Sequence, residues 1–137
     1  MGPRLIRVYH YTSTDHLPYI LNDGFLKTVE SNISFKRDHA GPDVVWLSSN
    51  PDPQDGTLGL AGSSVDKLAV RFTVELPKRL VHKWQPWALA HGSSTQTIES
   101  LISAGGGASS WRVYERSVPS SEWVEVLNRR TGELYGF

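Results

Sequence analysis

Three short stretches of the chain carry side chains able to act on a ligand. The first is Tyr9-His10-Tyr11-Thr12, where a titratable ring closes a strand-like run and the chain drops at once into a helical pattern. A histidine at such a mouth can hydrogen-bond a ligand hydroxyl, and the peptide after it can bind an amide. Its ordinary uses are to cap the helix or to pack in the core. The second is Val44-Val45-Trp46-Leu47-Ser48-Ser49. An aromatic ring followed by two hydroxyls can wall a slot for a planar group. The plainer reading makes Trp46 core and has Ser48 and Ser49 bond their own backbone in a turn. The third runs from Trp111 to Pro119, where Glu115 interrupts an apolar strand directly after a Gly/Ser loop. A carboxylate there can stabilise a developing cation or take up a proton, and its plain alternative is a solvent-facing strand residue. Glu122 and Glu125, on either side of Trp123, are rival carboxylates.

The elements that must position these groups follow from periodicity and punctuation. Arg4 to Tyr11 alternates and predicts a strand. Leu17, Ile20 and Leu21 form an apolar stripe at helical spacing, with Asp15 as the expected cap, Pro18 tolerable in the first turn and Gly24 as the stop. Leu26 to Asp43 reads as a long loop with at most one helical turn, and Asp43 to Pro51 as a buried strand. Leu68, Val70, Phe72, Val74 and Leu76 alternate cleanly on one face, the best strand signal in the chain. A turn with a short strand follows to Trp84. Helical pieces break near Gly92 and end at Gly105, the Gly-Gly-Gly-Ala-Ser-Ser stretch reads as a flexible loop, and Trp111 to Val118 reads as a strand. A final hairpin carries Thr131-Gly132 at its tip. Strands dominate and few connections need a helix, so the expected class is α+β: a split, mainly antiparallel, curved sheet with a few short helices.

The 137 residues fit one domain, 1–137, large enough to bury roughly 65–70% of its unfolded surface without a staple. There is no cysteine, hence no disulfide, thiol nucleophile or thiolate zinc site. His10, His16, His39, His82 and His91 are scattered without metal-ligand spacing, so no metal is expected. Fourteen basic residues balance fourteen acidic ones, which argues against a dedicated nucleic-acid coat while leaving room for a local patch. No run approaches the roughly 18 apolar residues of a membrane span, and Met1 to Thr12 lacks the apolar core of a signal peptide. The expectation is a cytoplasmic protein with no membrane partner. A Walker-type phosphate loop and a Gly-x-Ser-x-Gly nucleophile elbow are both missing from the sequence.

Taken together, Tyr9-His10-Tyr11-Thr12-Ser13, the short helix to Phe25, Val45-Trp46-Leu47-Ser48-Ser49 and the late Tyr114-Glu115-Arg116-Ser117-Val118-Pro119 resemble the ADP-ribosyltransferase superfamily, in order and over Arg7 to about Val126. The resemblance is to members that open with His-x-Thr: rifampin-type, tRNA 2′-phosphotransferase-type and DNA-modifying toxin-type proteins. It implies a split sheet gripping NAD, used as co-substrate, in a central cleft. It further implies that His10 holds the adenosine-side ribose, that the Tyr11 backbone, in the run to Thr12, meets the nicotinamide amide, and that Trp46 stacks near nicotinamide with Ser48 in support. Glu115 would hydrogen-bond the nicotinamide ribose and stabilise an oxocarbenium-like transition state. Two features depart from the family pattern: the stacking aromatic, commonly tyrosine, is Trp46, and Val113 stands where arginine-directed members carry Gln or Glu.

The implied reaction is transfer of ADP-ribose to an acceptor that the sequence leaves open among protein, nucleic acid and small molecule, in a toxin or a phage- or bacterium-encoded effector. Breaking an N-glycosidic bond puts positive charge on the sugar, so it calls for one carboxylate, an apolar wall for the leaving ring and donors for its amide. Arg37 or Arg71 can pair with the pyrophosphate. Transfer of an RNA 2′-phosphate ranks lower, because the one basic cluster, Asn128 to Arg130, is small. A catalytically inactive member of the fold, binding a nucleotide, nucleic acid or protein, is the alternative. An unrelated α+β interaction module is the third reading.

Overall fold

The structure is a computed structural model and describes residues 4–28, 43–53, 66–91, 96, 99 and 108–137. Strand β1 (Leu5–Thr12) leads into helix α1 (Leu17–Asp23) and strand β2 (Phe25–Leu26). Strands β3 (Val45–Ser48), β4 (Val70–Pro77) and β5 (Val81–Lys83) follow, then helix α2 (Trp84–Ala90), β6 (Trp111–Tyr114), β7 (Val118–Pro119) and β8 (Trp123–Asn128). Six strands form one sheet in the order β5-β6-β3-β1-β4-β8, and β2 pairs β7 in a separate ribbon. Every pairing is antiparallel, so the class is α+β with a mainly antiparallel sheet.

The sheet is held together unevenly. β1 pairs β4 along its whole length, from Leu5 opposite Pro77 to Thr12 opposite Val70. β3 and β6 are in register from Val45 to Ser48. Between these halves, β1 and β3 share a single register pair, Tyr9 opposite Ser48. Strand pairing between the halves β5-β6-β3 and β1-β4-β8 is therefore limited to one register pair, and His10 follows immediately after it.

Alternation sends side chains to two faces, each with its own core. One core gathers Val8, Leu47, Phe72, Val74, Leu76, Trp123 and Val126, covered by Leu17 of α1 and by Leu26 and Val118 of the ribbon. The other gathers Val44, Trp84, Trp87, Ala88, Trp111 and Val113, with Trp46 packed against it. Along β3 and the residue before it the two cores take alternate residues, Val45 and Leu47 facing the first, Val44 and Trp46 the second.

Several sequence expectations need correction. α1 starts at Leu17 with His16 rather than Asp15 at the cap position, and no side chain bonds the exposed amides. Pro18 lies in the first turn, where its missing N–H costs nothing. Gly24 ends the helix with a left-handed φ of 73° and donates its N–H to Ile20 O at 2.9 Å. Ala108–Ser110 is a 3-10 turn rather than part of a flexible loop. The strand expected over Trp111 to Val118 stops at Tyr114, because its partners Val45 and Val81 both end there, and the chain bends through 115–117 before β7. The loop expected over Leu26 to Asp43 and the helical pieces expected between Gly92 and Gly105 fall largely outside the described residues.

Candidate functional site

A cavity of ≈ 560 Å³ opens where β1 gives way to α1. His10, Tyr11, Thr12 and Trp46 border it on the sheet side, and Tyr19, Ile20, Phe25 and Leu26 on the side of α1 and β2. Its volume lies within the roughly 300–1,000 Å³ of ligand pockets, and its wall mixes rings and aliphatic side chains with polar groups.

His10 is the group most defined by its surroundings. It shares the face of Val8 and Thr12, and its ring meets Phe72 edge-on with centroids 6.2 Å apart. Its Nδ1 lies 2.8 Å from the carbonyl oxygen of Trp46. A carbonyl can only accept, so Nδ1 carries the proton and Nε2 is the acceptor. This side-chain bond satisfies the β3 backbone just where its pairing with β1 has stopped, which is why the ring sits in the gap between the halves. Burial lowers the pKa of His10 below the usual histidine value, and the bond to Trp46 opposes that shift. The ring is therefore neutral at neutral pH.

The other residues singled out from the sequence distribute themselves differently. Tyr11 turns its side chain to the opposite face, donating to Asn50 O at 2.5 Å beneath the Arg129 guanidinium, which lies 5.4 Å from the ring centroid. Burial raises its pKa, against the pull of Arg129 and Arg71. Its backbone, in register with Arg71, stays at the cavity. Thr12 is buried at the strand's end. Trp46 borders the cavity while its partly buried ring packs against the second core. Ser48 is fully buried and its hydroxyl is spent on structure: it donates to Ser110 Oγ at 3.2 Å and accepts from Asn50 N–H at 3.0 Å. Ser48 therefore serves the turn, off the cavity wall.

Glu115 is the largest displacement from expectation. It lies in the bend after β6, exposed, and its Oε1 accepts from Trp87 Nε1 at 2.8 Å. Trp87 belongs to the second core, so the carboxylate is held on the α2 side of the sheet. Glu125 pairs with Arg71 at 3.0 Å, and Arg71 also donates to Pro51 O at 2.7 Å, so neither faces the cavity. Glu122 sits in the 3-10 turn before β8, its pKa raised by burial and opposed by Arg116. Asp23 is the carboxylate on the cavity wall among the described residues, and it pairs with Lys27 at 3.0 Å. Arg37 lies outside the described residues.

The far wall, Tyr19, Phe25, Lys27 and Lys67, escaped the sequence reading. One signal was present: Tyr19 lies off the Leu17-Ile20-Leu21 stripe, so the helix has no packing use for a large ring there. Among the described residues no three His, Asp or Glu side chains group to hold a metal ion, and no helix is long and apolar enough to cross a membrane. No family model, curated protein or solved structure matches the chain.

Proposed function

We propose that the chain is an NAD-dependent ADP-ribosyltransferase whose NAD site is the His10 cavity. The observation that carries this reading is the gap itself: a sheet joined at one register pair, a neutral histidine in the opening with Nε2 as acceptor, and a cavity of ≈ 560 Å³ beside it. His10 Nε2 accepts from a ribose hydroxyl, the β1 backbone at Tyr11 and Thr12 lies within reach of an amide, and the apolar wall shields a leaving ring from water. In the reaction the bond between ribose C1′ and the nicotinamide nitrogen breaks and its electron pair leaves with nicotinamide. An acceptor nucleophile then bonds to C1′ and loses its proton. The setting as a toxin or effector rests on the sequence resemblance alone, which leaves the acceptor open.

The stabilising carboxylate is the condition on this reading. For Glu115 to serve, the 115–117 bend must release Trp87 and bring the carboxylate round the end of β6. Its hydrogen bond to Trp87 favours a second reading, in which the cavity binds a nucleotide without turning it over.

Nicotinamide release separates the two. The parent chain should release nicotinamide from NAD, Glu115→Gln should bind NAD without release, and His10→Ala should lose both. Binding by the parent without release selects the second reading. No thermal shift at high NAD removes both, since ligand at 100 times its Kd should stabilise the fold by about 2.7 kcal/mol.

A further inference from the structure

Two half-sheets that share a single register pair need something else to keep them from turning on it, and the chain leaving β3 supplies it. Pro51 and Pro53 have no N–H, so residues 50–53 cannot extend β3 as a paired strand, and their carbonyls must find other donors. The donors are side chains of the other half-sheet. Tyr11 of β1 donates its hydroxyl to Asn50 O at 2.5 Å, and Arg71 of β4 donates to Pro51 O at 2.7 Å. Arg129, the residue after β8, donates to Pro53 O at 2.8 Å. The arginines are held in turn. The Arg129 side chain is 9% exposed, pairs with Asp52 at 2.7 Å and donates also to Leu68 O at 2.8 Å. Arg71 pairs with Glu125 at 3.0 Å. Each cation lies over a ring of β1, Arg71 5.5 Å from the Tyr9 centroid and Arg129 5.4 Å from that of Tyr11.

Alternation along β1 puts the Tyr11 side chain on the face opposite His10. On the cavity face, His10 makes a matching tie, its Nδ1–H donating to Trp46 O at 2.8 Å. Two consecutive residues of β1 thus reach the β3 chain on opposite faces, directly after the one register pair. A single pair is a pivot, whereas a tie on each face fixes the angle about it. We infer that Tyr11, Arg71 and Arg129 form a clamp on residues 50–53 that fixes the opening of the His10 cavity, which makes Tyr11 a positioning residue for the ligand held there. Tyr11 is the link, because its hydroxyl belongs to the clamp while the residue also borders the cavity. Coupled polar groups of this kind, each with its partner, hold one geometry. A wall held before the ligand arrives costs less to order on binding. The clamp also commits Arg71 to structure and takes it away from the pyrophosphate role open to it in the sequence. Its meaning for NAD rests on the transferase reading, and the clamp itself does not.

The test compares the whole chain with two variants. Tyr11→Phe keeps the ring under Arg129 and removes only the hydroxyl. Arg7→Gln breaks the Arg7–Glu75 ion pair, which joins the same two strands on the same face but away from the gap. Ligand-free, isotope-labelled protein is read at the His10 ring nitrogens and the Trp46 carbonyl carbon, across the sheet from the Tyr11 hydroxyl. Tyr11→Phe should move both signals, and Arg7→Gln neither. Titration with NAD should then show affinity about five-fold weaker in Tyr11→Phe, the loss of one hydrogen bond, and unchanged in Arg7→Gln. His10 and Trp46 signals that stay in place in Tyr11→Phe, or that move as far in Arg7→Gln, would overturn the clamp, and so would NAD affinity unchanged in Tyr11→Phe. If the parent chain binds no NAD, the transferase reading fails by itself, and the ligand-free spectra alone decide the clamp.

Discussion

The two faces of the sheet put aromatic side chains to opposite uses. On the face of Val8 and Phe72, rings frame an opening: His10 edge-on to Phe72 within, Tyr19 and Phe25 at the mouth. On the other face they close one. Trp84 and Trp111 meet edge-on at 5.0 Å, Trp87 lies against His91 at 4.4 Å, and the one hydrogen bond described from this tryptophan cluster, Trp87 to Glu115, ties down a turn. The difference shows that the candidate ribose-binding histidine and the candidate stabilising carboxylate are served by different cores. Chemistry that needs both must either move the 115–117 bend or take its carboxylate from elsewhere.

The largest effect that would sharpen this contrast is Phe72→Ala. Phe72 is fully buried between His10 and Trp123, so the change should cost about 3–5 kcal/mol in urea unfolding and weaken NAD binding as well. Trp84→Ala, equally buried in the other core, should cost a similar amount and spare NAD binding in the folded fraction. Equal loss of NAD binding in both would show that the faces are not separable.

Smaller is Gly24→Ala. A Cβ there meets nothing nearer than Ser120 Oγ at 3.9 Å, so the cost is the left-handed backbone alone, about 1 kcal/mol by thermal melt. Trp87→Phe keeps the ring and removes its N–H. Because Glu115 is exposed, stability should fall by about 1 kcal/mol or less, while the bend gains freedom that should show as faster amide exchange at 115–117.

The smallest effect is a pH slope. His10 has a folded pKa below its unfolded value, so the unfolded chain takes up the proton first as pH falls. Its contribution is level above about pH 6.5, where both states are neutral, and stability declines as pH drops below that value towards the folded pKa. His10→Gln should flatten this part of the stability curve. An unchanged slope would mean that the ring is less enclosed than its contacts imply.

How much of this was legible in the sequence varies by element, for physical reasons. β4 was plain because burial on one face writes a period of two: Leu68 to Leu76 announce themselves. α1 was plain because its stripe ends at a glycine that the left-handed cap requires. The ribbon of Phe25–Leu26 with Val118–Pro119 was invisible, since two residues cannot display a period. The end of β6 was misread because Val118 is as apolar as Val113, yet it belongs to another partner. The facing of Trp46 was unreadable because Val44, Val45, Trp46 and Leu47 are apolar throughout, both faces being packed. His10 was found from its place at a strand's end, but its bond to the Trp46 carbonyl depends on where two strands part, which no local pattern records.

The most direct test of the central claim, that NAD enters the cavity at the gap between the half-sheets, is to titrate NAD into isotope-labelled protein and follow ring and amide resonances. The account predicts that the His10 ring and the amides of Thr12, Ile20 and Leu26 shift together and saturate, while the indole N–H signals of Trp84 and Trp111 on the opposite face stay in place. Shifts at those indoles with His10 unmoved, or none anywhere at saturating NAD, would contradict it.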